Sequence, residues 1–264
     1  MRNNTTLERI RKGETVLGCA LQHYRSPEIA RVFAAAGFDY FFIDAEHGGF
    51  DVETIQDMIS AGARAGITPL VRVGELHYSL VARFLDVGAQ GVILPRVESP
   101  TLLQEAISWA RFPPEGKRGF GVMAPMIDYE YRSFAEIMAH LNNNTLMVVQ
   151  FETRSAMEHA DELLSIPGVD VAMVGPSDLS VSLGIPGEFD HPKLVGCVLE
   201  FMRACNAHHV VPGIHCRNDV LAAQWIERGM RFVGAGSEHN LLFEKARQTA
   251  TQLRAKAQSS SAQK

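Results

Sequence analysis

The chain has 264 residues, 46% of them apolar, and a formal charge of −5, enough for a sizeable core in one large domain or two small ones. No basic run exceeds the Arg9-Ile10-Arg11-Lys12 patch, which argues against nucleic acid as a partner. No uncharged apolar run reaches membrane-spanning length, and Met1 to Lys12 is too polar for the core of a signal peptide, so a soluble, cytoplasmic protein without a membrane partner is expected.

Eight apolar runs have strand character: residues 15–21, 40–43, 68–73, 91–94, 146–151, 171–174, 210–214 and 231–235. Helical patterns separate them at 28–36, 52–65, 80–86, 101–109, 134–141, 156–164, 194–208 and 220–227, and a last helix spans about 241–256. Several helices run out into glycine turns, at Ala36-Gly37, Ala65-Gly66, Val87-Gly88 and Arg228-Gly229. Strict alternation favours a parallel sheet. Eight repeats favour closure into a single (β/α)8 TIM barrel of the α/β class, with an extra helix at the C-terminus. No linker divides the chain. The expected domain is 1–257, followed by a Ser-rich disordered tail at 258–264. The connection 112–131 is long and glycine-rich, and carries the basic pair Lys117-Arg118. As a phosphate cradle it is weak, since no strand leads into it.

In a parallel barrel the strand C-termini carry the chemistry. Glu152 and Asp178 each follow a strand, and two such acids suit a hard divalent cation such as Mg²⁺ or Mn²⁺. The competing reading makes both acids helix caps. The second strand ends Asp44-Ala45-Glu46-His47-Gly48-Gly49, where His47 is a candidate general base. Arg72 lies in an apolar strand and needs an anion. That anion is either a substrate oxygen or an internal partner, Asp44 or Glu46. Arg96 and His215 are secondary candidates, and Gly234 and Gly236 leave room near a ligand. A zinc site from His47, Glu152, Asp178 and His215 lacks helical ligand spacing. No predicted strand contains a lysine, which disfavours Schiff-base chemistry and favours a metal. The four cysteines have neither metal nor redox spacing and read as buried thiols.

Six motifs carry a family resemblance. They are Phe42-Ile43-Asp44-Ala45-Glu46-His47, Val71-Arg72, Leu85-Asp86-Val87-Gly88, the run from Arg111 to Gly119, Gln150-Phe151-Glu152-Thr153, and Gly175-Pro176-Ser177-Asp178-Leu179-Ser180. From about Leu17 to about Leu253 the chain resembles the HpcH/HpaI family of class II, pyruvate-dependent aldolases. The resemblance implies a lyase that reversibly cleaves a 4-hydroxy-2-oxo acid to pyruvate and an aldehyde. Substrates would be of the 4-hydroxy-2-oxoheptanedioate or 2-dehydro-3-deoxy sugar acid type. It implies Glu152 and Asp178 as ligands for Mg²⁺, Mn²⁺ or Co²⁺, and His47 as proton acceptor. Asp86 would raise the basicity of His47, and Arg72 would stabilise the enolate. Gln150, Gly175 and the amides of Ser177 and Asp178 would bind substrate, with His215 nearby. It also implies a homo-oligomer, a hexamer built as a trimer of dimers. Two departures bear on the aldehyde and the reaction preference. Gly48-Gly49-Phe50 replaces the family's Ala-Pro-Asn, and His215 stands where relatives often carry an apolar residue over the pyruvate methyl. Oxaloacetate decarboxylation through the same enolate is the alternative reaction, and a non-catalytic keto-acid binding protein the alternative class.

Overall fold

The computed structural model describes residues 1–122 and 124–261. A short helix, α1 (Thr5–Arg11), comes first. Strands and helices then alternate through β1 (Val16–Leu21), α2 (Glu28–Ala36), β2 (Tyr40–Asp44), α3 (Val52–Ala65), β3 (Thr68–Arg72), α4 (Tyr78–Asp86) and β4 (Gly91–Leu94). Two helices, α5 (Pro100–Ala110) and α6 (Phe134–Asn144), precede β5 (Leu146–Phe151). Next come α7 (Arg154–Glu158), α8 (Ala160–Leu164), β6 (Val171–Val174), α9 (Pro176–Ser182) and α10 (Pro192–Ala207). The chain ends with β7 (Val211–Cys216), α11 (Asp219–Glu227), β8 (Phe232–Ser237) and α12 (Glu238–Ser261). Each strand pairs in parallel with its successor, and β8 pairs back onto β1. This is the closed (β/α)8 barrel the alternation predicts.

Local chemistry sets the helix starts. Asp51, Ser99, Ser133 and Asn218 each accept a backbone N–H at the first turn of α3, α5, α6 and α11. A short side-chain acceptor satisfies donors that the helix itself leaves unpaired.

Successive strand residues face opposite sides of the sheet. Phe41, Ile43, Val71, Val92, Val149 and Val174 pack beneath the helices, while Tyr40, Phe42, Leu70, Ile93, Val148, Met173 and Phe232 fill the barrel. That interior is crowded. The Tyr40 and Phe232 rings stack at 4.1 Å. Gly18 is the register partner of Tyr40, and a Cβ there would lie 2.2 Å from its ring. Gly234 is likewise the partner of His215, and a Cβ there would lie 2.0 Å from Nδ1. Two glycines on adjacent strands therefore make the room that large rings on β2 and β7 occupy.

Helix α1 closes the N-terminal end of the barrel. Leu7 and Ile10 join the interior cluster beside Val16, Leu146 and Val171. Burying each is worth about 1.5–3 kcal/mol. Asn4 caps the helix and donates to the carbonyls of Gln90 and Asn144, while Thr6 bonds Thr68 and the Asp39 carbonyl. In the sequence this segment reads as polar, because only two apolar side chains point inward.

The other differences from expectation are local. Helix α9 is not among the periodic helices expected, since seven residues are too few to show a period, although Asp178 reads as a candidate helix-capping acid, and it does lie in the first turn of α9. The expected helix at 156–164 is two helices, broken at His159. Helix α12 continues to Ser261, past the domain boundary expected at 257, and residues 262–264 of the expected tail lie outside the described residues. The connection 112–131 uses its basic pair structurally. Lys117 meets Glu105 at 2.8 Å, and buried Arg118 meets Asp86 at 2.7 Å with its guanidinium over the Phe112 ring. Among the described residues no helix is long and apolar enough to cross a membrane.

Gly18→Ala should lower the unfolding free energy by about 1–3 kcal/mol, the usual cost of overpacking a filled core. Denaturant titration measures it, and an unchanged midpoint would mean that Tyr40 yields freely.

Candidate active site

Asp44 and Arg72 are register partners at the last rung of β2 and β3. Arg72 donates to both oxygens of Asp44, from Nε at 3.0 Å and from Nη2 at 2.5 Å. Asp44 is fully buried and also accepts the backbone N–H groups of Glu46 and His47, each at 3.1 Å, and the Gln22 side chain at 2.9 Å. Burial alone would raise its pKa. The Arg72 guanidinium, with Gln22 and the His47 N–H, more than offsets that and holds the carboxyl below the usual range. The internal ion pair weighed for Arg72 is therefore present. It also fixes the guanidinium plane at the mouth of the barrel. Arg72 Nη1 lies 3.2 Å from Glu46 Oε2, yet that buried oxygen has no hydrogen bond. Glu46 Oε1 accepts Arg96 Nε at 2.9 Å. The His47 ring is half exposed, with Nε2 3.8 Å from Glu46 Oε2.

Across the mouth, Glu152 follows β5 and is buried. Its Oε1 accepts the Arg96 backbone N–H at 2.8 Å, and its Oε2 accepts Gln150 Nε2 at 2.5 Å. Arg96 makes that contact from the left-handed region, with φ 53°, where few side-chain-bearing residues lie. Gly175 closes the other side. A Cβ there would lie 2.9 Å from Gln150 Nε2 and 3.1 Å from Glu152 Oε2. Only glycine lets the start of α9, with exposed Asp178 in its first turn, come this close. Burial pushes the Glu152 carboxyl up, and nearby Glu46 and Asp178 add to that against the Arg96 and Gln150 hydrogen bonds.

Charge and donor chemistry suit a divalent cation. Asp44, Glu46, Glu152 and Asp178 gather around Arg72 and Arg96, which leaves these six groups at −2 when ionised. Among the described residues no group of three or more His, Cys, Asp or Glu is placed to hold a metal. The four-residue zinc arrangement therefore does not assemble. Two carboxylates, with the other oxygens from outside the protein, fit a magnesium-like ion.

A cavity of about 160 Å³ lies between the two halves. His47, Arg72, Gln150, Gly175, Ser177, Asp178 and His215 all line it, with Gln22, Phe42, Met173 and Pro176. Glu152 stands directly behind Gly175. Asp86 is elsewhere: it ends α4, just before the N-terminal end of β4, and pairs with Arg118. The structure thus does not bring Asp86 to His47 within the chain, and Glu46 is the acid beside that ring. Reading the sequence missed Gln22, Phe42 and Met173. Gln22 is a polar residue one step past a strand end, the same signal that exposed Glu152.

Residues 23–244 match the HpcH/HpaI aldolase/citrate lyase family. The chain belongs to that family. Two relatives bear out its class as a carbon–carbon lyase. A 2-keto-3-deoxy-L-rhamnonate aldolase of Escherichia coli is 31% identical over 88% of this chain and 86% of its own. A hydroxypyruvate/pyruvate aldolase of Roseobacter denitrificans is 31% identical over 90% and 93%. The crystal structure of an HpcH/HpaI aldolase from Desulfitobacterium hafniense superposes with a TM-score of 0.89 at 31% identity, covering 94% of this chain and 95% of that one.

In this HpcH/HpaI lyase, Asp44→Asn leaves a buried guanidinium without its anion and should cost about 3–5 kcal/mol at neutral pH. The folded-state pKa of Asp44 lies below the unfolded value of about 3.9. Its contribution is therefore present above that pH and lost as pH falls through the folded value. The stability gap between wild type and variant should narrow below about pH 4. Paired urea titrations across pH test this. A constant gap would show that the pair acts through packing alone.

Proposed function

We propose that this lyase reversibly cleaves a 4-hydroxy-2-oxo acid, of the 2-dehydro-3-deoxy sugar acid type, to a pyruvate-type 2-oxo acid and an aldehyde. The observation that carries this reading is one cavity lined by a pre-aimed guanidinium, an accessible imidazole and Asp178, with the Glu152 carboxylate directly behind Gly175 at its wall. The relatives' names, an aldolase of a keto-deoxy sugar acid and an aldolase of pyruvate and hydroxypyruvate, support the substrate class.

Glu152 and Asp178 would hold Mg²⁺, Mn²⁺ or Co²⁺, which as a Lewis acid polarises the 2-oxo group. His47, exposed at the mouth, takes the proton of the C4 hydroxyl. The C3–C4 bond then breaks. Its electron pair passes to the 2-oxo acid fragment as an enolate, and the aldehyde leaves. Arg72, held in plane by Asp44, faces the enolate oxygen with its remaining N–H groups, where negative charge develops. Gln150 and the backbone N–H groups of Ser177 and Asp178 orient the 2-oxo acid.

The test uses chelator-stripped protein. It should release no aldehyde from a 2-dehydro-3-deoxy sugar acid and should not exchange pyruvate methyl protons with solvent deuterium. Adding Mg²⁺, Mn²⁺ or Co²⁺ should restore both. Full activity in chelator would remove the metal from the reading. CO₂ release from oxaloacetate without aldehyde release from any sugar acid would make the protein a decarboxylase instead.

We also propose a homo-oligomer, a hexamer built as a trimer of dimers. Leu241, Leu242, Phe243 and Leu253 of α12 are exposed apolar side chains on one chain and would be covered in it. Sedimentation should give a species well above the 29.1 kDa chain. A stable monomer at micromolar concentration refutes the assembly.

A further inference from the structure

Helix α12 is tied to the loop that leaves β1. Its first residue, Glu238, is buried, and its carboxylate turns back to that loop. Oε1 accepts the backbone N–H groups of Gln22 at 3.0 Å, His23 at 2.5 Å and Tyr24 at 3.0 Å, and Oε2 accepts that of Gln22 at 3.0 Å. Residues 22–27 are neither helix nor strand. These bonds hold the loop, with the edge-on contact of the His23 and His239 rings at 4.4 Å. An acid in the first turn of a helix ordinarily serves the helix dipole from the surface. Glu238 instead takes its charge out of water, which is costly. Among the described residues its ion-pair partner is the His239 ring, with Nδ1 at 3.7 Å. Three successive N–H groups make the buried charge tolerable.

Gln22 carries this fixed point to Arg72. Its side chain lines the cavity, and its Nε2 donates to Asp44 Oδ2 at 2.9 Å. The two oxygens of Asp44 are held differently. Oδ1 accepts Arg72 Nε and the backbone N–H groups of Glu46 and His47. Oδ2 accepts Arg72 Nη2, and Gln22 is its other donor. The last torsion of an aspartate is soft, so its carboxylate plane goes where the donors put it. With Oδ1 pinned by the turn after β2, Gln22 decides where Oδ2 lies. The guanidinium is flat and pairs through two parallel bonds, so it takes up the plane of the carboxylate.

We infer that Glu238 is a positioning residue of this site: through Gln22 and Asp44 it sets the plane in which Arg72 meets the substrate. Glu238 itself does not line the cavity. The consequence for catalysis rests on the aldolase reading above, in which Arg72 faces an oxygen whose charge develops during the reaction. A tilted guanidinium then loses more in the transition state than with bound substrate, so kcat falls while KM holds.

Single and double variants of the metal-loaded enzyme test this, with rates taken per folded protein. Gln22→Met keeps a long side chain and leaves the three N–H groups on Glu238, but removes the donor to Asp44. Glu238→Gln keeps the shape but sets an amide NH2 among donors. Each should lower kcat for aldol cleavage roughly tenfold, with KM within about twofold, on the scale that small misplacements cost. The double variant should be no slower than the slower single one, because both act on one path. If Glu238→Gln does not fold, Glu238→Asp, a carboxylate one methylene too short, takes its place with the same expectation. A lowered unfolding midpoint with unchanged kcat would mean that Glu238 only ties down the loop. Additive losses would mean that it does not act through Gln22. Either result overturns the inference. Crystal structures of wild type and Gln22→Met separate this failure from that of the aldolase reading. Arg72 should turn out of its wild-type plane in the variant. An unmoved Arg72 refutes the positioning whatever the activity. A turned Arg72, in a protein whose wild type cleaves no 4-hydroxy-2-oxo acid, sinks the aldolase reading alone.

Discussion

The ion pair between Asp44 and Arg72 is the constraint on which the mouth of the barrel depends. Neither charge is tolerable there alone, because an unpaired ion in a dry site costs several kcal/mol. Parallel register makes them neighbours at the final rung, so the pairing follows from the strand alignment. Asp44 then spends its other lone pairs on the chain that follows. It accepts the N–H groups of Glu46 and His47, while its carbonyl accepts that of Gly48. A Cβ at Gly48 would lie 2.3 Å from that carbonyl, so the turn needs glycine. One buried carboxylate thereby aims a guanidinium, places an imidazole and ties down the end of β1 through Gln22. The structural and chemical roles of Arg72 are not alternatives. The internal partner holds one edge of the fork, and the substrate would meet the rest.

The opposite side of the mouth is arranged for the reverse purpose. There, carboxylates outnumber their cations and one of them is held in a raised protonation range. Backbone geometry maintains this. The left-handed turn at Arg96 and the missing side chain at Gly175 bring a strand-end acid and a helix-start acid to the same place. Both features use the polypeptide to hold like charges together, which is unfavourable until a cation arrives.

The architecture was legible because its signals are periodic. Three of the eight strands, β4, β5 and β6, and two helices, α2 and α3, begin and end where the apolar pattern does. The position of Glu152 at the barrel mouth was legible because it directly follows a strand, and that of Asp178 because it comes four residues after one, in the first turn of α9. Arg72 was visible as an anomaly, a charge in an apolar run, though its partner could not be chosen before the register was known. Arg96 was noticed for its side chain, whereas its backbone N–H makes the contact with Glu152, and no sequence feature encodes its φ. Phe42 and Met173 looked like ordinary strand residues. Only closure of the sheet turns them into cavity walls. Asp86 entered through family resemblance, and in the folded chain its partner is Arg118. Helix α1 was hidden because its stability comes from what it covers rather than from its own pattern.

That helix has a kinetic meaning. With Leu7 and Ile10 seated in the lower end and Tyr40 stacked on Phe232 above them, the barrel is filled from below and its cavity lies at the opposite mouth. Whatever reacts there must enter and depart past the same rim. On the aldolase reading, a keto acid held between Arg72 and the two acids would lie beneath the aldehyde, and the upper fragment would have to clear before the lower one could go. In the direction of synthesis the same reading would invert the order, with the keto acid loading first and the aldehyde closing over it. Sequence of traffic would then be a property of the stopper at the far end, contributed by a helix of seven residues.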